Sequence, residues 1–555
     1  MPNLFAYAML LVWPLVAVAL FRKRPRASAL VWTLLAGYLL LPSATSIDLP
    51  LLPPLDRDNG PVLAAFALCL AGVGLKRSRR VGTASAATPL KDDERPGWLP
   101  RSKLARLLIL MLALGPLATT YLNPEPLIYG PRVLKGMALY DGASLVMQQI
   151  ITILPLLLGR KLLSDPAGVR TLMAAMVAAA LVYTIPMLVE IRLSPQIHSW
   201  VYGFFPHDFI QTKRFDGFRP QVFLLHGLKL ALYMSMTFLV ALALIRVLKS
   251  PAPGERKPRA LGGWKLSAAW LGIMLVLSKS VGALASALVM LPLVLLAGRR
   301  MQIGAAVIVA AVTLLYPAVR SLDLVPTDTL VSMANQISPN RAQSLEFRFD
   351  NEDLLLAKAD ERPVFGWGSW ARNRVFHETK GWDQAITDGL WVITFGVYGW
   401  FGYIAQFGLL TLPIFALFRQ RRHPDLSLET TTLCLVLCVN YLDLLLNSGM
   451  TPLTWLIAGA ILGRAEALAA NPVSAKQQAA APARNANALR RPSATRPGHP
   501  APQRPGPQRP GPRGPEPQTP VSPRPSAPRP DPGRSGPMRP GIGGRPETSS
   551  DRFPR

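Results

Sequence analysis

The sequence is poor in cysteine, histidine and acid. Its 555 residues include three cysteines, six histidines and 32 Asp plus Glu, against 60 Lys plus Arg. Three cysteines provide no disulfide framework for a secreted scaffold. All three (Cys69, Cys434 and Cys438) lie inside apolar runs. Cys434 and Cys438 share a helix face, but no histidine or carboxylate completes a metal site there, and they read as packing residues. The apolar residues lack the alternation and short periodicity of soluble domains. They fall into runs of about 17–25, the length that crosses a bilayer core. Half of the chain is hydrophobic, which excludes an ordinary soluble globular enzyme.

The first run, 4–21, has no basic residue before it; Arg22, Lys23, Arg24 and Arg26 follow it. A cleaved signal peptide has the reverse order, so a retained helix with an outer N-terminus is expected. Further runs lie at 28–41, 61–75, 104–122, 143–158, 172–191, 222–247, 264–277, 281–298, 303–319, 389–418, 430–446 and 452–462. The expected fold is an all-α polytopic membrane protein of roughly 12–13 helices over residues 1–470. Loops after odd-numbered helices (22–26, 76–106, 160–170, 246–265, 299–300 and 419–422) are rich in Lys and Arg, whereas the others are mixed or acidic. That asymmetry predicts a cytoplasmic basic side and an outer N-terminus. Two long outer loops are expected, 193–221 and 320–388, the second forming short helices over the outer face.

The net charge of +28 raises the possibility of nucleic acid. Its distribution argues against it. The tail 471–555 holds 15 basic and 4 acidic residues among repeated Pro and Gly, with almost no interleaved aromatics. Such a segment buries too little apolar surface to offset chain entropy, so a disordered cytoplasmic tail is expected. Anionic headgroups or a partner for polyproline segments are its candidate contacts.

Ionisable residues inside spans are costly and point to function. His226, Lys229, Tyr233 and Thr237 are spaced for one face of the run 222–247, and Asn440, Asp443 and Asn447 for one face of another. His226, Lys229 and Asp443 all fall near the outer side, as do Glu190 and Arg192. Each of Lys229 and Asp443 also has a plain structural reading, as a pairing or snorkelling group. The segment QTKRFDGFRPQVFLLHG puts Lys213, Arg214 and Arg219 beside the membrane, behind Trp200, Tyr202, Phe204 and Phe205. Arginine keeps its charge and grips two phosphate oxygens together. Arg341 and Arg348, seven apart, add a second pair. Together they suit a lipid diphosphate and its departure as a leaving group without a metal.

These segments resemble the bacterial O-antigen polymerase and ligase family, chiefly over 214–402. The resemblance rests on RFDGFRP, SKSVGA at 278–283, NRAQSLEFRF, ERPVFGWGSW at 361–370 and DGLWVITFGVYGWFG from Asp388. It implies glycan transfer from undecaprenyl diphosphate at the periplasmic face, with no cofactor. It would make Arg214, Arg219, Arg341 and Arg348 diphosphate binders, with Lys279 replacing a family arginine. Where ligases carry a histidine motif, this chain reads AITDGLW; Asp388 is the candidate base, and the nearest histidine, His377, is eleven residues earlier. That departure favours a polymerase of exopolysaccharide or O-antigen type over a ligase to a lipid A core or other acceptor. A flippase or transporter of lipid-linked sugars is the other-class alternative, though no internal repeat supports it. Expected partners are the undecaprenyl-diphosphate-linked oligosaccharide, the bilayer and a chain-length regulator or export protein, with no nucleic acid. Gly396, Gly399 and Gly402 are expected to permit close helix packing.

Overall fold

The computed structural model describes residues 1–48, 53–74, 96–214, 217–249, 261–386 and 388–471, without the side chains at 337, 340 and 341. The chain divides into two units, Met1–Ala480 and Ala481–Arg555. The tail expected to be disordered, from residue 472 on, lies outside the described residues, as does most of the basic loop 76–106.

The protein is mostly helical. The apolar helices are α1 (Leu4–Lys23), α2 (Arg26–Leu40), α3 (Asn59–Leu70), α4 (Lys103–Tyr121), α5 (Leu139–Leu162) and α6 (Pro166–Leu193). After a short helix α7 (Ile197–Tyr202) come α8 (Gly227–Lys249), α9 (Leu261–Leu277), α10 (Val281–Leu296) and α11 (Arg299–Ser321). Two polar helices, α12 (Thr327–Ile337) and α13 (Pro339–Asp360), precede α14 (Leu390–Arg419), α15 (Leu428–Leu446) and α16 (Pro452–Ala470). Among the described residues, nine of these are long and apolar enough to cross a membrane; α2, α3, α9 and α10 are apolar but shorter. This is a multi-pass all-α membrane protein. Its centre is α15 and α16, whose side chains are buried on nearly every side, while α1, α4, α10 and α11 turn many large apolar side chains outward. A helix apolar all round needs either protein or lipid around it, and these two groups take one each.

The helix ends sort onto two faces, and hydrogen bonds identify each face. At one, Arg160 pairs with Glu466 (2.8 Å), Arg170 pairs with Glu429, and Arg246 donates to the carbonyls of Val294 and Ala297 (2.8 and 2.7 Å). These contacts join the C-terminal ends of α5 and α16, the N-terminal ends of α6 and α15, and the C-terminal ends of α8 and α10; Arg464 of α16 also donates to the Asp425 carbonyl just before α15. At the opposite face, Arg57 donates to the Phe223 carbonyl (3.2 Å) and Asn3 is held by Tyr202 (3.0 Å). Among the described residues, Arg160, Arg170, Arg246 and Arg299 therefore gather at one end of the bundle, Arg299 through its bond to the Leu426 carbonyl near Glu429.

Three local expectations are corrected. The run 222–247 is not helical from its start: Val222 has φ 53° and α8 begins at Gly227, so His226 precedes the helix. The buried Glu190 carboxylate accepts the backbone N–H groups of Gln221 and Val222 (2.8 and 2.7 Å) and of Ile197 (3.2 Å), fixing that non-helical approach. The segment 320–388 is not only short helices. It holds the 22-residue α13 and then a turn-rich stretch pinned to a hairpin, β1 (Leu127–Tyr129) with β2 (Arg132–Leu134). The third correction concerns Gly399. It does not serve helix-to-helix packing; at φ 62° it breaks α14. The break frees backbone groups that pair with the ERPVFGWGSW segment: Trp400 N–H to Pro363 (2.7 Å), Phe401 N–H to Val364 (3.0 Å), Trp367 N–H to Gly396 (2.8 Å) and Gly368 N–H to Val397 (2.9 Å). A side chain at 399 would meet the Val364 carbonyl at 2.4 Å, so the position needs glycine both for its φ and for this approach.

Candidate functional site

The face that carries Asn3 and Phe223 also carries most of the residues singled out by sequence. A two-residue antiparallel pair, β3 (Lys213–Arg214) with β4 (Gly217–Phe218), brings the chain back toward the helices. Just after it, Arg219 turns inward and is 7% exposed. Its Nη2 donates to the Lys279 carbonyl (3.1 Å), and the Lys279 Nζ donates to the Arg214 carbonyl (3.0 Å). Lys279 sits in the α9–α10 break at φ 52°. The break turns both its carbonyl and its side chain toward the β3–β4 pair. Gly227 allows Arg219 to lie flat, since a Cβ there would meet the arginine Cδ at 2.4 Å.

Arg219 has no carboxylate partner among the described residues, and its buried Nε–H has no acceptor. Burial and the neighbouring Arg214 charge push its pKa down to about 10. His226 shares the positive environment. Burial first, then His207, Arg219, Arg214 and Lys229, push its pKa down to about 4. Its Nδ1 accepts the Leu228 N–H (3.0 Å) at the start of α8, and its ring lies 4.9 Å from that of His207. At neutral pH His226 is uncharged and works as a helix cap.

Below it, Lys229 lies in the first turn of α8, near enough to interact with Arg57, Asp58 and Asp443. Asp443 is held by Asn447, whose Nδ2 donates to its Oδ1 (2.8 Å), and it also feels Arg348. Arg348 projects from α13, donates to the Leu446 carbonyl (2.9 Å) and stands 4.0 Å from the Asp388 carboxylate. The arrangement is a row of charges across one end of the bundle. It runs from Arg214, Lys279 and Arg219, past His226 and Lys229, to Asp443, Arg348 and Asp388. The row is cationic at the first end and mixed at the second. It can hold a multivalent anion at the first and a polar, hydroxyl-bearing group at the second.

Two candidates fall outside this grouping. His377 makes no contact with Asp388. Its Nδ1 accepts the N–H groups of Thr379 and Lys380 (both 3.3 Å), and its ring leans on Trp382. It closes a turn. Arg341 lies on α13 two turns before Arg348, and its side chain is outside the described residues.

Sequence reasoning missed Arg57, Arg320 and Glu352. Arg57 is buried above the Tyr38 ring, 5.1 Å from its centre. Arg320 ends α11 beneath α13, pairing with Asp353 (2.6 Å) and lying 3.9 Å from Glu352. Glu352 is buried, accepts from the Trp391 Nε1 (3.3 Å), and has its pKa pushed up to about 7, chiefly by burial. Arg57 and Arg320 carry a signal in the sequence, an arginine in a loop that the charge bias alone would leave poor in basic residues. Glu352 carries none, because its burial depends on α13 folding down onto α14. No protein-family model matches this chain, and no curated protein matches it.

Proposed function

We propose that the protein is a membrane glycosyltransferase that polymerises oligosaccharide units carried on undecaprenyl diphosphate, at the periplasmic face of a bacterial inner membrane. The observation that carries this reading is Arg219. An uncompensated buried guanidinium is costly, and a bound diphosphate would offset that cost. Arg214 and Lys279 stand beside it, and the face they share is the one with fewer basic loops. By the charge bias of inter-helix segments, that face is periplasmic, the arginine-rich face is cytoplasmic and the N-terminus is periplasmic.

In this mechanism Arg219, Arg214 and Lys279 bind the diphosphate, with Arg341 joining from α13. An acceptor sugar hydroxyl attacks the anomeric carbon of the lipid-linked chain. The new glycosidic C–O bond forms as the bond to the diphosphate oxygen breaks. The cations take up the negative charge that grows on the leaving diphosphate. Asp388 receives the hydroxyl proton, and Arg348 orients it. Lys229 and Asp443 contribute polar contacts to the sugars. His377 has no role in this scheme, since its ring is committed to its own turn.

A strain lacking the gene distinguishes polymerisation from transport. Polymerase loss leaves single lipid-linked units exposed on the periplasmic leaflet, whereas units confined to the cytoplasmic leaflet would reject the reading in favour of a flippase. Cysteine labelling of introduced sites within 320–388 checks the orientation, and labelling only after the inner leaflet is permeabilised would overturn it.

A further inference from the structure

The arginine-rich face holds an open pocket of about 390 Å³ between the start of α11 and the α14–α15 turn. Arg299, Arg300, Met301, Arg421, Arg422 and His423 line it. Two of the cations have local tasks: Arg299 donates to the carbonyls of Pro424 (3.1 Å) and Leu426, and Arg421 covers the Phe418 ring at 4.3 Å. His423 is tied to the Asn471 carbonyl (2.8 Å). These bonds hold the turn against α11. Arg300 and Arg422 are exposed and have no ion-pair partner among the described residues. Asp425, in the same turn, is 4.0 Å from His423 and largely exposed to solvent. The pocket also receives the first N–H groups of the 23-residue α11, whose Gly298 cap has no side chain to occupy them.

The apolar margin of this pocket narrows the choice of ligand. Leu296 and Met301 are 79% and 57% exposed on the same corner, with Leu295 beside them. A free anion has no use for that surface. A molecule with a phosphate head and acyl chains fits both halves, with its head among the guanidiniums and its chains along the outward side of α10 and α11. We infer that this pocket is a binding site for the headgroup of an anionic phospholipid of the surrounding leaflet. The site lies at the opposite end of the bundle from Arg219 and does not depend on the proposed reaction.

The test uses the purified full-length protein in a neutral detergent, read by native mass spectrometry and by thermal melting. The probes are dioleoyl phosphatidylglycerol, dioleoyl phosphatidylcholine and inorganic phosphate. Phosphatidylglycerol is expected to bind at least about fivefold tighter than phosphatidylcholine and to raise the melting temperature. Arg300→Gln with Arg422→Gln should remove most of that preference, at least about fivefold, while leaving phosphatidylcholine binding unchanged. Both side chains are exposed, so the variant should fold; Arg422→Gln alone serves if the pair does not. Leu296→Ser with Met301→Ser should weaken phosphatidylglycerol binding as well. Equal binding of the two lipids, or a preference that survives loss of both arginines, would overturn the site. Displacement of phosphatidylglycerol by an equal concentration of inorganic phosphate would assign the pocket to free anions and overturn the lipid.

Discussion

Arg219 and Lys279 are joined across 60 positions of sequence: the arginine Nη2 donates to the lysine's backbone carbonyl at 3.1 Å, and among the described residues no carboxylate pairs with the arginine. Under the proposed function, this backbone bond sets two cations side by side where a diphosphate would bind. The bond orients the guanidinium without consuming its charge.

The first prediction follows from that distinction. Arg219→Met should leave stability unchanged or raise it, because it replaces a buried, uncompensated charge with an apolar chain of similar length. Transfer from a lipid diphosphate donor should fall by at least about tenfold, the effect of one or two lost charge-assisted hydrogen bonds. Melting temperature and polymer yield from the purified protein measure the two separately. A variant that melts early and loses activity in proportion would make Arg219 a structural residue.

Glu352 predicts a pH dependence. Its folded pKa is about 7, above that of an unfolded glutamate, so the folded state holds the extra proton between those values. Stability should therefore be greatest below the unfolded value and decline as pH rises through about 7. The loss is on the order of 3 kcal/mol. Melting curves at pH 5 and pH 8 should differ in the wild type and converge in Glu352→Gln. A wild type that is more stable at pH 8 would contradict the assignment.

Gly399→Ala should detach the ERPVFGWGSW segment from α14. The backbone at φ 62° and ψ −163° is essentially confined to glycine and costs about 1–3 kcal/mol for a residue with a Cβ, and the collision with the Val364 carbonyl adds to it. Limited proteolysis should show new cleavage near 361–370, with the rest of the bundle intact. Gly408→Ala, at an ordinary helical position of α14 where a Cβ meets only Leu108 at 3.4 Å, is the control.

The buried pair Arg160–Glu466 should behave as a brace. The two side chains are 0% and 9% exposed, and Glu466 also accepts the Arg101 N–H (2.7 Å). Glu466→Gln strands a buried charge and should destabilise by about 3–5 kcal/mol. Arg160→Met combined with Glu466→Leu should recover much of that loss, as a denaturation series in detergent would show.

The sequence by itself determined that the protein is a multi-pass chain of apolar helices. Hydropathy and charge bias are properties of contiguous segments, and a bilayer selects length and polarity one segment at a time. It also identified Arg219, Lys229 and Asp443 as charges to account for, since each lies at or near the end of an apolar run, and Arg348 through its spacing from Arg341. Only the tertiary structure decided which of them share a site. The gap between two apolar runs marks the break that holds Lys279, but its reach to Arg214 depends on a positive-φ turn there, His226 caps a helix rather than lining one, and His377 is spent on its own turn. Arg320 and Glu352 become a buried cluster because α13 folds down over α11 and α14. Gly399 shows the same division. Its place in a run of glycines suggested close packing, but its partner is a loop that begins 36 residues earlier, at Pro363. Contacts of that kind depend on where distant backbones meet, and residue type at one position does not encode it.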